Sequence, residues 1–223
     1  MFKLVVVAAT GGVGRHLLHQ SLAAGHQVTA VVRNPDRLRD QPSRIVRCDL
    51  ADPDPDALRS AMAGADAVLS ALGAPTGAQA GIASRGTRAL VDAMRATGVR
   101  RIVAVSAASV GTVPSPGRPH PPRHNPGDGF VMRHLIAPLA KRMFRPHYRD
   151  LAIMEDVLRE SGLDWTVSRP PRLLERRLRR GYRTAVDVNV RGGLFIARAD
   201  VAHHMLAVLD DPATVHHAIG VAY

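Results

Sequence analysis

Residues 3–18 read KLVVVAATGGVGRHLL. The run Lys3–Ala8 is short, apolar and rich in valine, which suits a strand buried on both faces. A glycine cluster follows. Leu17, Leu18 and Leu22 then recur at helical spacing until Gly25 stops the helix. In the intervening turn, AATGGVGR (8–15), Gly11 and Gly14 flank two small residues directly before that helix. Such a turn lets backbone N–H groups and a helix N-terminus face a pyrophosphate, and Thr10 can bond within the turn or to phosphate. The pattern departs from G-x-G-x-x-G, because Ala8 stands where the tightest-turn glycine belongs.

Working outward, the same alternation repeats. HQVTAVVR (26–33), RIVRC (44–48), ADAVLSAL (65–72), VRRIVAVSA (99–107) and DWTVSR (164–169) read as strands. Helical patterns separate them: a short helix after DLADPDPDAL that ends near Gly64, then 84–98, 130–144 and 148–161. Two weaker strand signals lie near 182–196, a closing helix spans Arg198–Leu209, and VHHAIGVA supplies a last strand. Strand and helix in alternation predict an α/β fold, a Rossmann-type doubly wound parallel sheet in three layers, α/β/α. A small C-terminal lobe is expected on its substrate side. Residues 1–223 read as a single domain. A Pro- and Gly-dense stretch, Val113 to Gly129, marks a lid-like insertion at about 107–147.

The second strand ends VVRNPDRL (31–38). Folds that bind NAD place a carboxylate there to hold the ribose 2′-OH. Here Arg33 and Arg37 take that region, and a guanidinium suits a 2′-phosphate instead. The reading is NADP over NAD; the plainer alternative is two surface arginines at a strand end. Asp49, at the end of the third strand, is placed to meet the adenine. Leu72 and Gly73, ending the fourth, lie along the adenosine and pyrophosphate path.

Bulk properties narrow the classes. The 223 residues carry a net charge of +11, with 28 Arg and only two Lys, Lys3 and Lys141. Residues 101–183 hold 16 basic and 7 acidic groups, so the excess is regional. An anionic ligand or a solvated arginine-rich surface accounts for it. Nucleic acid is not expected, since aromatic residues make up 4% and offer no stacking platform. The lone Cys48 permits no internal disulfide, and no stretch approaches a membrane span, so a cytoplasmic protein is expected. The histidine pairs lack accompanying Cys or Glu ligands, so no metal site is expected.

The series AATGGVGRHLL, AGHQVTAVVRNPDRL, AGADAVLSALG, GTRALVDAMRATGVRRIVAVSA, MEDVLRESGLDWTVSRPPRL and RADVAHHML resembles the atypical short-chain dehydrogenase/reductase group with NAD(P)H-binding domains. The likeness is nearest to flavin reductase and biliverdin-IXβ reductase-like proteins, and looser to NmrA-like redox sensors. It implies an NADP site at Thr10, Gly11, Gly12, Val13, Gly14, Arg33, Arg37, Asp49, Leu50, Leu72 and Gly73. It also implies that Ser106 and Pro170 to Leu173 border the nicotinamide. The Tyr-x-x-x-Lys pair of the wider group is absent, since Ala152 stands four residues after Tyr148. The resemblance therefore implies an NADPH-dependent oxidoreductase acting on a conjugated acceptor such as a flavin, quinone or tetrapyrrole. The alternative is a non-catalytic NADP(H)-binding sensor of the NmrA-like type.

Candidates on the catalytic side are Ser106 and Ser109 at the end of the fifth strand, Arg172 after Pro-Pro, and Tyr148 as a weak acid. Each has a structural alternative: a polar strand-end cap, a surface arginine, helix packing. The expected partner is a small-molecule acceptor, anionic ones included, with the chain a monomer or homodimer.

Overall fold

In strand β1 (Lys3–Val7), Val5 and Val7 enter one hydrophobic cluster while Leu4 and Val6 enter another. That two-residue alternation puts apolar layers on both faces of the sheet. The computed structural model describes residues 1–73, 81–129, 132–136, 139 and 142–223. After β1 come α1 (Gly14–Ala23), β2 (Gln27–Val32), β3 (Arg44–Arg47), α2 (Pro55–Met62), β4 (Ala67–Ser70), α3 (Ile82–Thr97) and β5 (Arg101–Val105). The second half holds α4 (Arg145–Arg159), β6 (Asp164–Arg169), β7 (Arg172–Leu174), β8 (Arg183–Val186), β9 (Phe195–Ala197), α5 (Arg198–Ala207) and β10 (His217–Ala222).

The strands order as β3-β2-β1-β4-β5-β6-β10-β8. All neighbours are parallel except β8, which runs antiparallel to β10. The order turns back at β1, and the crevice at the carboxyl ends beside such a reversal is where open α/β sheets take ligands. Leu17, Leu18, Val201 and Met205 bring α1 and α5 onto one face. Leu58, Leu90, Met94, Met154 and Leu158 bring α2, α3 and α4 onto the other. The fold is the expected three-layer Rossmann-type one. The small lobe is the separate pair β7–β9. Of these two strands, β7 has no signal in the sequence, because only three residues follow the prolines before the basic loop.

The helical pattern over 130–144 lies partly outside the described residues; within it, Met132–Ile136 forms one π-type turn. Residues 117–128 are tied to α4 and to the loop after β8. The Asn125 side chain accepts from the Asn189 N–H at 2.7 Å, Asp128 accepts from the Asn189 amide at 2.7 Å, and Gly117 N–H donates to Asp156 at 2.9 Å. Among the described residues no helix is long and apolar enough to cross a membrane.

Two contacts fix the geometry at the sheet's edge. The first is steric. A Cβ on Gly14 would lie 2.0 Å from the Ala8 carbonyl oxygen, so only glycine lets α1 start this close to β1. The second is electrostatic. Glu155 of α4 is 2% exposed and Arg169 at the end of β6 is 5% exposed. Arg169 grips both carboxylate oxygens, with Nε to Oε1 at 2.9 Å, and Arg159 Nη2 adds a bond of 2.6 Å. Burial alone would raise the Glu155 carboxyl, but Arg169, Arg159 and the Ser106 hydroxyl outweigh it and hold the group below its ordinary value.

Gly14→Ala is expected to lose about 3 kcal/mol of stability in urea denaturation, as overpacked positions do. Glu155→Gln is expected to cost about 3–5 kcal/mol, because it strands a buried guanidinium. A depressed carboxyl stabilises above its unfolded pKa of about 4.3 and loses that contribution as pH falls. The wild type should therefore weaken more steeply than Glu155→Gln on acidification, as read by urea midpoints across the acid range.

Candidate functional site

The carboxyl ends of β1, β2, β4 and β5 open into a cleft of about 610 Å³. Its floor is the glycine turn. Ala8 leaves β1 in the left-handed region, φ 57°, a conformation that costs an L-residue about 1–2 kcal/mol. Glycine normally carries that strain; here alanine carries it. The Gly11 N–H donates to the Ala8 carbonyl at 2.8 Å and closes the turn. No side chain caps the N-terminus of α1, and its first turn holds no acidic residue. The helix end is thus left to an anionic ligand in the cleft.

Thr10, Gly11, Gly12, Val13, Arg33, Arg37, Asp49, Leu50, Leu72, Gly73 and Ser106 all line this one cleft. Gly14 does not; it sits behind the turn as the residue that admits α1 against β1. Past β2, the Asn34 side chain accepts from the Asp36 N–H at 3.0 Å and shapes a single 3₁₀ turn, Pro35–Arg37. That turn brings Arg37 back to the same cleft wall as Arg33. Both are exposed, and among the described residues neither forms an ion pair. Asp49 stays within its own loop, its carboxylate accepting from the Ala51 N–H at 3.0 Å. Cys48 is a buried cleft-wall residue, and burial pushes its thiol up, away from the reactive thiolate.

A third arginine joins the site that sequence reasoning missed. Arg198, the first residue of α5, lies against the glycine turn, its Nε 2.6 Å from where a Cβ on Gly12 would stand. Any side chain at position 12 would have to displace it. Glu175 reaches Arg198 at 3.4 Å and also pairs with Arg15. Partial burial raises the Glu175 carboxyl, but Arg15, His16 and Arg198 hold it below its ordinary range. No local signal marks Arg198, because it enters the cleft only once α5 packs beside α1.

At the other end the lining is Ile82, Val105, Ser106, His147, Leu151 and Leu173. The Ser106 hydroxyl donates to Glu155 Oε1 at 2.8 Å, so its proton is committed to the buried carboxylate. Ser109, Tyr148, Arg172 and Pro170 stand outside the lining. Tyr148 packs against the core, and burial raises its phenol, with Ser109 acting the other way. The Pro170 carbonyl accepts from the Ala108 N–H at 2.9 Å. Arg172 is exposed at the start of β7. His147, one residue before Tyr148, is the imidazole that the structure turns into the cleft.

An open helix N-terminus, a glycine floor without side chains and three guanidinium groups in one cleft fit a long phosphate-bearing ligand. Comparison with known proteins agrees on the fold. SP1627 of Streptococcus pneumoniae TIGR4, a candidate NADH-flavin reductase, aligns with a TM-score of 0.74 at 24% identity, over 100% of this chain and 99% of its own. ChuY, an anaerobillin reductase from Escherichia coli O157:H7, gives 0.75 at 22% identity, over 99% and 96%. A short-chain dehydrogenase/reductase from Veillonella parvula DSM 2008, solved with NADP, gives 0.75 at 17% identity, over 100% and 95%. The sequence itself matches one family over residues 8–212, from the glycine turn past the helix that carries Arg198. On that match, which takes in the whole cleft, the chain belongs to the NAD(P)H-binding family.

Proposed function

We propose that the protein is an NADPH-dependent oxidoreductase that reduces a flat conjugated acceptor, of flavin, quinone or tetrapyrrole type. The observation that carries the cofactor choice is the pair Arg33 and Arg37, two guanidinium groups without an ion pair among the described residues, on the wall of the glycine-floored cleft. An extra phosphate on the adenosine ribose gives them a partner, and a bare ribose does not. When bound, the reduced nicotinamide supplies a hydride. Gly11 and Gly12 admit the pyrophosphate against the backbone, and Arg198 stands beside it. Val105, Leu151 and Leu173 exclude water from the reacting end, and Ile82 extends that apolar wall.

The acceptor class follows from what that end lacks. Among the described residues no lysine lines the cleft, and the Ser106 proton is engaged. A simple ketone needs the strong Tyr-Lys relay, whereas a conjugated acceptor, which delocalises the incoming electron pair, makes do with placement and a weaker acid. Two proteins of the same fold are named for reducing such molecules, a flavin and anaerobillin. A lone Cys48 and no disulfide suit a reducing cytoplasm. The second reading, a non-catalytic NADP(H) sensor, draws on the missing Tyr-Lys pair.

Fluorescence titration is expected to show NADPH bound more tightly than NADH. Arg33→Ala should weaken NADPH by about 1–3 kcal/mol and leave NADH nearly unchanged. Equal losses for both coenzymes would count against the phosphate reading. NADPH oxidation should accelerate with FMN or menadione as acceptor. Tight NADPH binding with no turnover over a broad acceptor panel would favour the sensor.

A further inference from the structure

The helix α4 meets the cleft along one row of residues. His147, Leu151 and Glu155 are spaced by four and share a face. Glu155 anchors that row to the end of β5 through the Ser106 hydroxyl, 2.8 Å away. Leu151 lines the cleft one turn further up, and His147 lines it one turn beyond that. At 1.5 Å per residue His147 stands roughly 12 Å along the axis from Glu155, above the carboxyl edge of the sheet. The neighbouring row points elsewhere: Tyr148 packs against the core cluster and Ala152 is buried in it.

The imidazole is half-buried and its Nδ1 is shielded from solvent without a hydrogen-bond partner. A buried, unsatisfied nitrogen is costly, and in a native fold it calls for a partner from outside the chain, a ligand or a water. Its polar surroundings are few. Asp150 on α4 turns away, its carboxylate accepting from the Ala83 and Ser84 N–H groups of α3 at 3.0 Å each. The Tyr148 ring lies 5.9 Å off, centroid to centroid. From the β5 side, among the described residues, comes the Ser106–Glu155 pair, already neutralised by Arg169 and Arg159. At this end of the cleft His147 is, among the described residues, the imidazole in the lining.

We propose that His147 is the proton donor to the acceptor, a catalytic residue in the position that a Tyr-Lys pair serves elsewhere. The inference rests on the oxidoreductase reading above. The acceptor takes a hydride from NADPH at one atom of its conjugated system. The displaced π pair collects on a carbonyl oxygen or ring nitrogen. That atom takes a proton from the His147 imidazolium, which water then reprotonates. The balance is acceptor plus NADPH plus H⁺ to reduced acceptor plus NADP⁺. Burial pushes the imidazole below its ordinary value, with Asp150 acting the other way. Because the protonated form is the donor, the rate should fall as pH rises through that midpoint.

The test compares wild type, His147→Gln and Tyr148→Phe with menadione and FMN at saturating NADPH, over the range in which histidine titrates. His147→Gln is expected to lower kcat/KM for the acceptor roughly 100-fold, as loss of a general acid does. It should also abolish the falling limb of the pH profile. Independently of turnover, the His147 ring signals in ¹H–¹⁵N spectra should move when NADP⁺ is added. Wild-type rates and pH profile in His147→Gln overturn the inference. So do ring signals indifferent to NADP⁺, or a pH limb lost in Tyr148→Phe instead. If the wild type itself oxidises no NADPH with any acceptor, the oxidoreductase reading falls first, which is a different result from an active wild type and an equally active variant.

Discussion

Everything in the cleft depends on how closely α1 approaches the end of β1. The Ala8 carbonyl occupies the space a side chain at position 14 would need. That contact sets where α1 begins and aims its uncapped N-terminus across the carboxyl edge of the sheet. It also costs something locally, since Ala8 holds a left-handed conformation without being glycine. The strain persists because β1 is paired on both sides, to β2 and β4, and has no freedom to relax. From this one approach follow the glycine floor, the place of α5 beside α1, and the position of Arg198 over Gly12.

A second organiser lies on the opposite face. Glu155 is a charge buried among apolar side chains, stable there only because two guanidinium groups and a hydroxyl surround it. The arrangement ties three elements together, α4, β5 and β6. It has a functional consequence, because it fixes the rotation of α4 about its own axis and so decides which of its residues face the ligand. The two organisers, one steric and one ionic, grip the two ends of the same cleft.

The large positive charge takes on a different meaning in this light. Several arginines of the basic region do not face solvent as a patch. Arg169 is inside, and Arg101 spends its donors on the carbonyls of Asp164 at 2.8 Å and Leu209 at 2.9 Å. Arg159 neutralises Glu155. In a chain with two lysines, arginine serves as the structural cross-link, since its planar fork reaches several acceptors at once. Formal charge read from the sequence therefore overstates what a polyanion would meet.

The sequence by itself determined the parts governed by neighbours along the chain. The apolar runs, the turn at 8–15, the end of β2 at Arg33 and the helix over 198–209 are local patterns, and the structure holds them within a few residues. The cleft-lining residues were legible for the same reason: they sit at strand ends, and strand ends are marked by where apolar runs stop. The tertiary structure alone decided the rest. Successive helix positions differ by about 100° of rotation, so the one-residue step from Tyr148 to His147 exchanges a ring packed against the core for one facing the cleft. Nothing in the local pattern fixes that rotation; it is set by Glu155 finding Arg169 and Ser106, residues 14 and 49 positions away in the chain. Arg198 is the same case, placed over the glycine turn by helix packing between opposite ends of the sequence.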